Sequence, residues 1–173
     1  AYLRGAHPRL EPLVIFCAEA LGKMADHAEP WILVDSAWAL AKFGCVSLQA
    51  LRRISQESRA KMPMFATLDV SKLAWAFASL GIEDTELFHA LASATVLRRQ
   101  DLAPQGLSNL LWSFATLNED DENLFLALAE DAIERMREFK PQDISNMMWA
   151  FARLGISSPP LFRVVGKEAT ARL

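Results

Sequence analysis

The sequence predicts an all-α fold: a right-handed α-solenoid of about 4.7 helical-hairpin repeats, each 37 residues long. Three observations predict it. Trp38, Trp75, Trp112 and Trp149 recur at one constant step of 37 residues. The residues around each of them match without a gap. Apolar positions within each unit fall three and four apart, the spacing of one helix face. A chain of 173 residues with 52% hydrophobic residues can bury a core, and self-similarity at this period is the signature of stacked repeats. Seven glycines and few β-branched runs oppose an all-β reading.

The four matching segments are DSAWALAKFG (35–44), KLAWAFASLG (72–81), NLLWSFATLN (109–118) and NMMWAFARLG (146–155). Further columns support the register. Pro30, Pro104 and Pro141 align, with Thr67 in the remaining unit; Leu33, Val70, Leu107 and Ile144 form a second column. Leu13, Leu87, Leu124 and Leu161 form a third, with Ala50 as the exception. The array divides into a partial repeat over 1–27 and units over 28–64, 65–101, 102–138 and 139–173.

Each unit reads as two helices, A and B. In the third unit Pro104 opens helix A, where a missing N–H costs nothing. Leu107, Leu110, Leu111, Phe114 and Leu117 make its apolar face. Asn118 ends it, where the other units carry Gly44, Gly81 and Gly155; these residues tolerate the left-handed backbone beyond a helix end. Helix B follows an acidic turn at 119–122 and runs from about Leu124 to Arg137. Ala39, Ala76, Ser113 and Ala150 lie on one flank of helix A, with Ala41, Ala78, Ala115 and Ala152 on the other. Small residues on both flanks predict a helix A neighbour on each side. The Trp column is expected to wedge between units as core.

Residues 1–5 read as the end of a helix A, and residues 10–24 as a helix B. Neither end shows a polar capping unit and the first residue is not Met. Those features predict a segment of a larger protein, or a chain that docks at its ends.

Composition narrows the function. The net charge of -3 excludes a uniformly basic nucleic-acid binder but leaves room for a local basic face. No apolar run reaches membrane-spanning length. His7, His27 and His89 share no metal-ligand spacing, and Cys17 and Cys45 fall in or beside apolar helical stretches. No glycine-rich phosphate loop is present. A non-enzymatic chain without metal or cofactor is therefore expected.

Two surfaces are candidates for binding. The first is the polar face of helix A. Its columns hold Asp35, Lys72, Asn109 and Asn146; Lys42, Ser79, Thr116 and Arg153; and Trp31, Leu68, Gln105 and Gln142. These columns vary in chemistry while the core columns stay fixed. Base-by-base recognition by a repeat protein needs that pattern, although a solvated stripe shows it too. The second is the end of helix B. Lys61, Arg98, Arg135 and Arg172 keep the 37-residue step, flanked by Arg99, Arg137 and Lys140, with Arg52, Arg53 and Arg59 in one unit. Such an edge could follow a phosphate backbone. Glu83, Asp84, Glu86 and the acids of 119–122 should gather on the opposite edge. The preference of cations for helix C-termini and acids for N-termini explains the same polarity.

FKPQDISNMMWAFARLG (139–155) and LAPQGLSNLLWSFATLN (102–118) resemble the octotricopeptide and heptatricopeptide repeats. They are also similar to the RNA-editing substrate-binding complex domain and to the repeats that precede RAP domains. The resemblance covers essentially the whole chain. It implies an α-solenoid in mitochondria or plastids, with the mitochondrion favoured, that binds single-stranded or ribosomal RNA. The implied tasks are RNA processing, stability, translation or ribosome assembly. A protein-interaction scaffold within a large organellar complex, joined to other subunits through the solenoid ends, is the alternative. No membrane insertion or small-molecule substrate is expected.

Overall fold

The computed structural model describes residues 22–172, together with Tyr2, Leu3, Phe16, Glu19 and Ala20. Eight helices follow one another from Pro30 onward: α1 (Pro30–Phe43), α2 (Leu48–Ala60), α3 (Thr67–Leu80), α4 (Thr85–Leu97), α5 (Pro104–Thr116), α6 (Glu122–Glu134), α7 (Pro141–Leu154) and α8 (Pro159–Ala171). Odd-numbered helices are the A helices and even-numbered ones the B helices. Short 3-10 turns at Ala25–His27, Met62–Met64, Arg99–Asp101 and Met136–Glu138 lead into each A helix. Among the described residues no helix is long and apolar enough to cross a membrane.

The local signals act as the sequence predicts. Pro30, Pro104 and Pro141 each sit at the first helical position. Gly44, Gly81 and Gly155 take positive φ of 62°, 68° and 71°, and Asn118 takes 57° in the same column. That left-handed residue turns the chain into helix B, whose start is capped by a side chain in three units. Ser47 Oγ accepts from Ala50 N–H at 3.4 Å, Asp84 Oδ1 from Leu87 N–H at 3.0 Å and Asp121 Oδ1 from Leu124 N–H at 3.0 Å. Two of the expected edge acids are thus N-caps, where a carboxylate offsets an orphan donor and the helix dipole.

Consecutive A helices pack along most of their length, whereas consecutive B helices touch over much less. The small residues allow this. Ala76, Ser113, Ala150, Ala78 and Ala115 are buried, while Ala152 of α7, the last A helix, is exposed. Phenylalanine fills the space between units. Phe88 of α4 meets Phe114 of α5 edge-on at 4.8 Å, and Phe125 of α6 meets Phe151 of α7 at 5.1 Å. All four are at most 2% exposed. Edge-to-face pairs of this kind add about 0.5–1.5 kcal/mol beyond area burial.

The structure corrects two expectations. The Trp column forms only the margin of the inter-unit core: Trp38 is 40% exposed and Trp149 43%, whereas Trp75 and Trp112 are half-buried and pack against it. At 100° per residue, Phe114 stands 160° around the helix from Trp112, so one cannot enter the core without turning the other out. At the chain start, Tyr2–Leu3 form a two-residue strand paired antiparallel with Cys45–Val46, not a helix end. Of the helix expected over 10–24, the described positions 16, 19, 20 and 22–24 are helical. Its remainder, with Leu13 and Cys17, lies outside the described residues, as do Gly5 and His7.

Candidate functional site

The packing of A helices lays their free faces side by side. In the third unit that face is Gln105, Asn109, Trp112 and Thr116. These four fall within about 60° of arc around the helix. The tryptophan therefore stands among the polar columns, where helical-wheel arithmetic on the sequence would have put it. Across the other units the strip reads Trp31, Asp35, Trp38 and Lys42; Leu68, Lys72, Trp75 and Ser79; Gln142, Asn146, Trp149 and Arg153. Every one of these sixteen residues is exposed or half-buried.

Contacts along the strip join neighbouring units. Lys72 Nζ pairs with Asp35 Oδ1 at 3.1 Å across one repeat step. Lys42 Nζ lies 5.3 Å from the Trp38 ring centre and 4.9 Å from that of Trp75, so one ammonium is held over two indoles. Trp112 and Trp149 contact each other at 6.4 Å with planes tilted by 33°. Gln142 Nε2 donates to Asn146 Oδ1 at 2.9 Å, and Thr116 Oγ1 donates to the Trp112 carbonyl at 2.7 Å. Among the described residues, Ser79, Gln105, Asn109 and Arg153 make no side-chain hydrogen bond. A depression of about 380 Å³ opens in the strip between α3 and α5, walled by Trp38, Leu68, Lys72, Gln105 and Asn109. Its floor includes Gly106, the residue in the column of Asp69 and Asp143. Those two carboxylates accept from the backbone N–H of Ala66 and Lys140; at Gly106 a Cβ would meet Ser71 Oγ at 3.3 Å and Leu102 Cδ2 at 3.4 Å, so the glycine allows close packing there.

The helix B column is bonded into the fold itself. Lys61 Nζ donates to the carbonyls of Ala28 at 2.9 Å and Asp26 at 3.0 Å. Arg98 donates to the Phe65 carbonyl, Arg135 to that of Leu102 at 2.9 Å and Arg172 to that of Phe139 at 2.7 Å. Each cation reaches back 33 residues, to the linker that precedes its own unit's helix A. The period read from the sequence holds, and its physical use is a clamp on buried linkers: Phe65, Leu102 and Phe139 are at most 2% exposed. Arg135 and Arg172 also pair with Glu138 and Glu168.

The flanking cations differ. Arg99 donates to the Ala127 carbonyl at 2.6 Å and pairs with Glu130 at 3.1 Å and Asp131 at 3.6 Å. Arg59 pairs with Glu86 of the next unit. Basic and acidic groups therefore meet at these contacts between B helices. Arg52, Arg53, Arg137 and Lys140 are exposed, and among the described residues their side chains make no hydrogen bond or ion pair.

Two titratable groups are moved by their surroundings. Burial pushes the Asp131 carboxyl above the usual aspartate range, with Arg99 opposing the rise. Burial likewise pushes the Cys45 thiol up, away from the thiolate a nucleophile needs. His27 and His89 are exposed.

A comparison with curated proteins finds no match to this chain. A family model does match: the RNA-editing substrate-binding complex 6 protein, over residues 32–173. The matched span takes in α1 through α8 almost entirely, and with it the exposed strip and the clamped linkers. Four hairpins in one register, the tryptophan-bearing helix A motif and this match agree, and the chain belongs to the RNA-editing substrate-binding complex 6 protein family.

Proposed function

We infer that the chain is a non-catalytic RNA-binding subunit of an organellar RNA-processing assembly, set in the mitochondrion. It is read as one right-handed α-solenoid domain over 1–173, of octotricopeptide or heptatricopeptide type, with about 4.7 units and no cofactor. Single-stranded RNA lies along the A face. Gln105, Asn109, Gln142, Asn146, Ser79 and Thr116 offer hydrogen bonds to base edges. Lys42, Lys72 and Arg153 offer charge to phosphates.

One observation carries this reading. The A strip holds three cations (Lys42, Lys72, Arg153) against one anion (Asp35), a formal +2 in a chain of net charge -3. The sign of charge thus inverts on a face where amides and indoles are also exposed or half-buried. Phosphate contacts are assigned to these three cations. Lys61, Arg98, Arg99, Arg135 and Arg172 already serve carbonyls and carboxylates.

The salt dependence of binding tests it. Each phosphate neutralised on a single strand contributes a slope of about -0.7 in log affinity against log salt, so three cations give roughly -2. Adding the four clamp cations would give roughly -5. Filter binding of a single-stranded oligonucleotide across a salt series is expected to give the shallower value. Lys72→Met with Arg153→Gln should reduce it further. A steep slope untouched by those changes would move the phosphate path off the A face, and absence of binding at low salt would remove the reading.

A second reading, attachment to another protein subunit, is favoured by a groove of about 510 Å³ on the B side. Met62, Pro63, Ala90, Ala94 and Leu97 line it, and Leu97 is 83% exposed. The two readings are compatible, since they use opposite sides of the same units.

A further inference from the structure

Resting on the RNA reading above, we propose that Trp38, Trp75, Trp112 and Trp149 form a stacking rail for the nucleobases of a single strand. The four indoles supply affinity that does not depend on charge.

Core packing does not account for the whole column: Trp75 and Trp112 rest one side against the core, while Trp38 and Trp149 are exposed. Phenylalanine holds the inter-unit core from the opposite side of each A helix, as the Phe88–Phe114 and Phe125–Phe151 pairs show. Yet an indole stands on the free face at every step, half-exposed in each case. Four large aromatic surfaces in one row on a water-facing strip are costly to leave bare, and patches of that kind mark a binding surface. The neighbours say which occupant suits it. Between the rings lie amides, hydroxyls and cations, with Asp35 as the sole acid, which complements a polyanion carrying flat hydrogen-bonding rings. An aliphatic protein surface would leave Asn109, Asn146 and Arg153 facing carbon.

The protein's own contacts display how the rail is used. Lys42 places its ammonium against both Trp38 and Trp75, so those ring faces already accept a flat or cationic partner. Trp112 and Trp149 rest on each other at 6.4 Å. Between Trp75 and Trp112, among the described residues, no ring contact or cation bridges the step, and Ser79 stands in the column of Lys42. A base entering that step displaces no bridging side chain among the described residues. Base entry at the Trp38–Trp75 step displaces Lys42, which frees its ammonium for the phosphate beside the incoming base. Stacking of this type tolerates every base, because each has a π face.

The test follows intrinsic tryptophan fluorescence of the whole chain during titration with oligouridylate and oligoadenylate. An abasic ribose-phosphate oligomer of the same length is the control. The variants are Trp75→Leu, Trp112→Leu and Trp112→Phe, each checked for wild-type melting by circular dichroism. Both RNAs should quench the emission, and the abasic oligomer should not. Each Leu change should weaken RNA binding by about 5- to 150-fold, the range for loss of one aromatic–base stack. Trp112→Phe should recover much of that loss, and the salt slope should not move. RNA bound without quenching, with full affinity in Trp75→Leu and Trp112→Leu, overturns the rail and leaves the RNA reading standing. Equal weakening for RNA and for the abasic oligomer also overturns it, since the ring would then act by holding the helix. No RNA binding at any salt overturns both and hands the face to a protein partner.

Discussion

Arg135→Met removes one clamp without removing the aliphatic stem. Arg135 Nη1 donates to the carbonyl of Leu102, whose side chain is 2% exposed in the linker before α5. The Arg135 side chain is 27% exposed. A charged hydrogen bond in such a place contributes about 1.5–3 kcal/mol. The exposed pair with Glu138 adds at most about 1 kcal/mol and is ignored. For a chain of this size, each kcal/mol moves the melting temperature by about 2–4 °C. The expected drop is therefore roughly 3–12 °C. Arg135→Lys should lose much less, because Lys61 performs the same task in the first full unit, on two carbonyls. Thermal melts give the first reading and urea midpoints the second. Hydrogen exchange around residues 102–106 locates the change, since releasing the linker should open that stretch first. Affinity for a short RNA should hold in both variants. An unchanged melt together with weakened binding of that short RNA would refute the clamp and return Arg135 to a phosphate.

Core and surface aromatics should separate cleanly. Phe114→Ala is expected to cost about 3–5 kcal/mol, the range for deleting a buried phenyl, and it also removes the edge-on packing against Phe88. Trp112→Leu should cost far less, and reversal of that order in urea titrations would contradict the assignment of phenylalanine to the inter-unit core. Asp131→Asn gives a pH signature. Because burial raises the folded carboxyl above 3.8, the folded chain binds that proton more tightly than the unfolded one. Its favourable contribution is full at low pH and fades as pH climbs through the folded value. The Asn variant, which cannot ionise, should gain on wild type by urea midpoint as pH rises from the ordinary aspartate range through the folded value. Wild type gaining instead would put the Arg99 ion pair ahead of burial.

Much of the fold was legible because its determinants repeat locally. Proline at the first helical position and glycine or asparagine at the left-handed stop recur every 37 residues, and each acts within its own few neighbours. The register of the B-helix cations was legible too, but their use was not. Their acceptors are backbone carbonyls 33 residues earlier, and a carbonyl leaves no mark in a side-chain pattern. The tryptophans are a different case. Residue type suggested core, whereas the angle between Trp112 and Phe114 on the helix already excluded both from one side. Gly106 was silent for a further reason: what it supplies is close approach to Ser71 and Leu102, and those neighbours are set by the packing of α5 on α3 and the linker.

Net charge and the B-helix clamps together bear on how an acidic chain can hold a polyanion. Lys61, Arg98, Arg135 and Arg172 are committed to linkers, and the overall field of a chain of net charge -3 opposes approach. Contacts that ignore charge sign offset that field, and the A strip presents them as indoles and amides in register. The clamps serve that end indirectly. By fixing each linker to the end of its own helix pair, they set the entry of every A helix, and with it the spacing between successive tryptophans. A strip whose rings are already placed gives up less conformational entropy when a strand is laid on it. Loosening one clamp should therefore leave each contact intact and blur only the spacing between the units on either side. Long oligomers that span that step would feel the change, and short ones seated on a single unit would not.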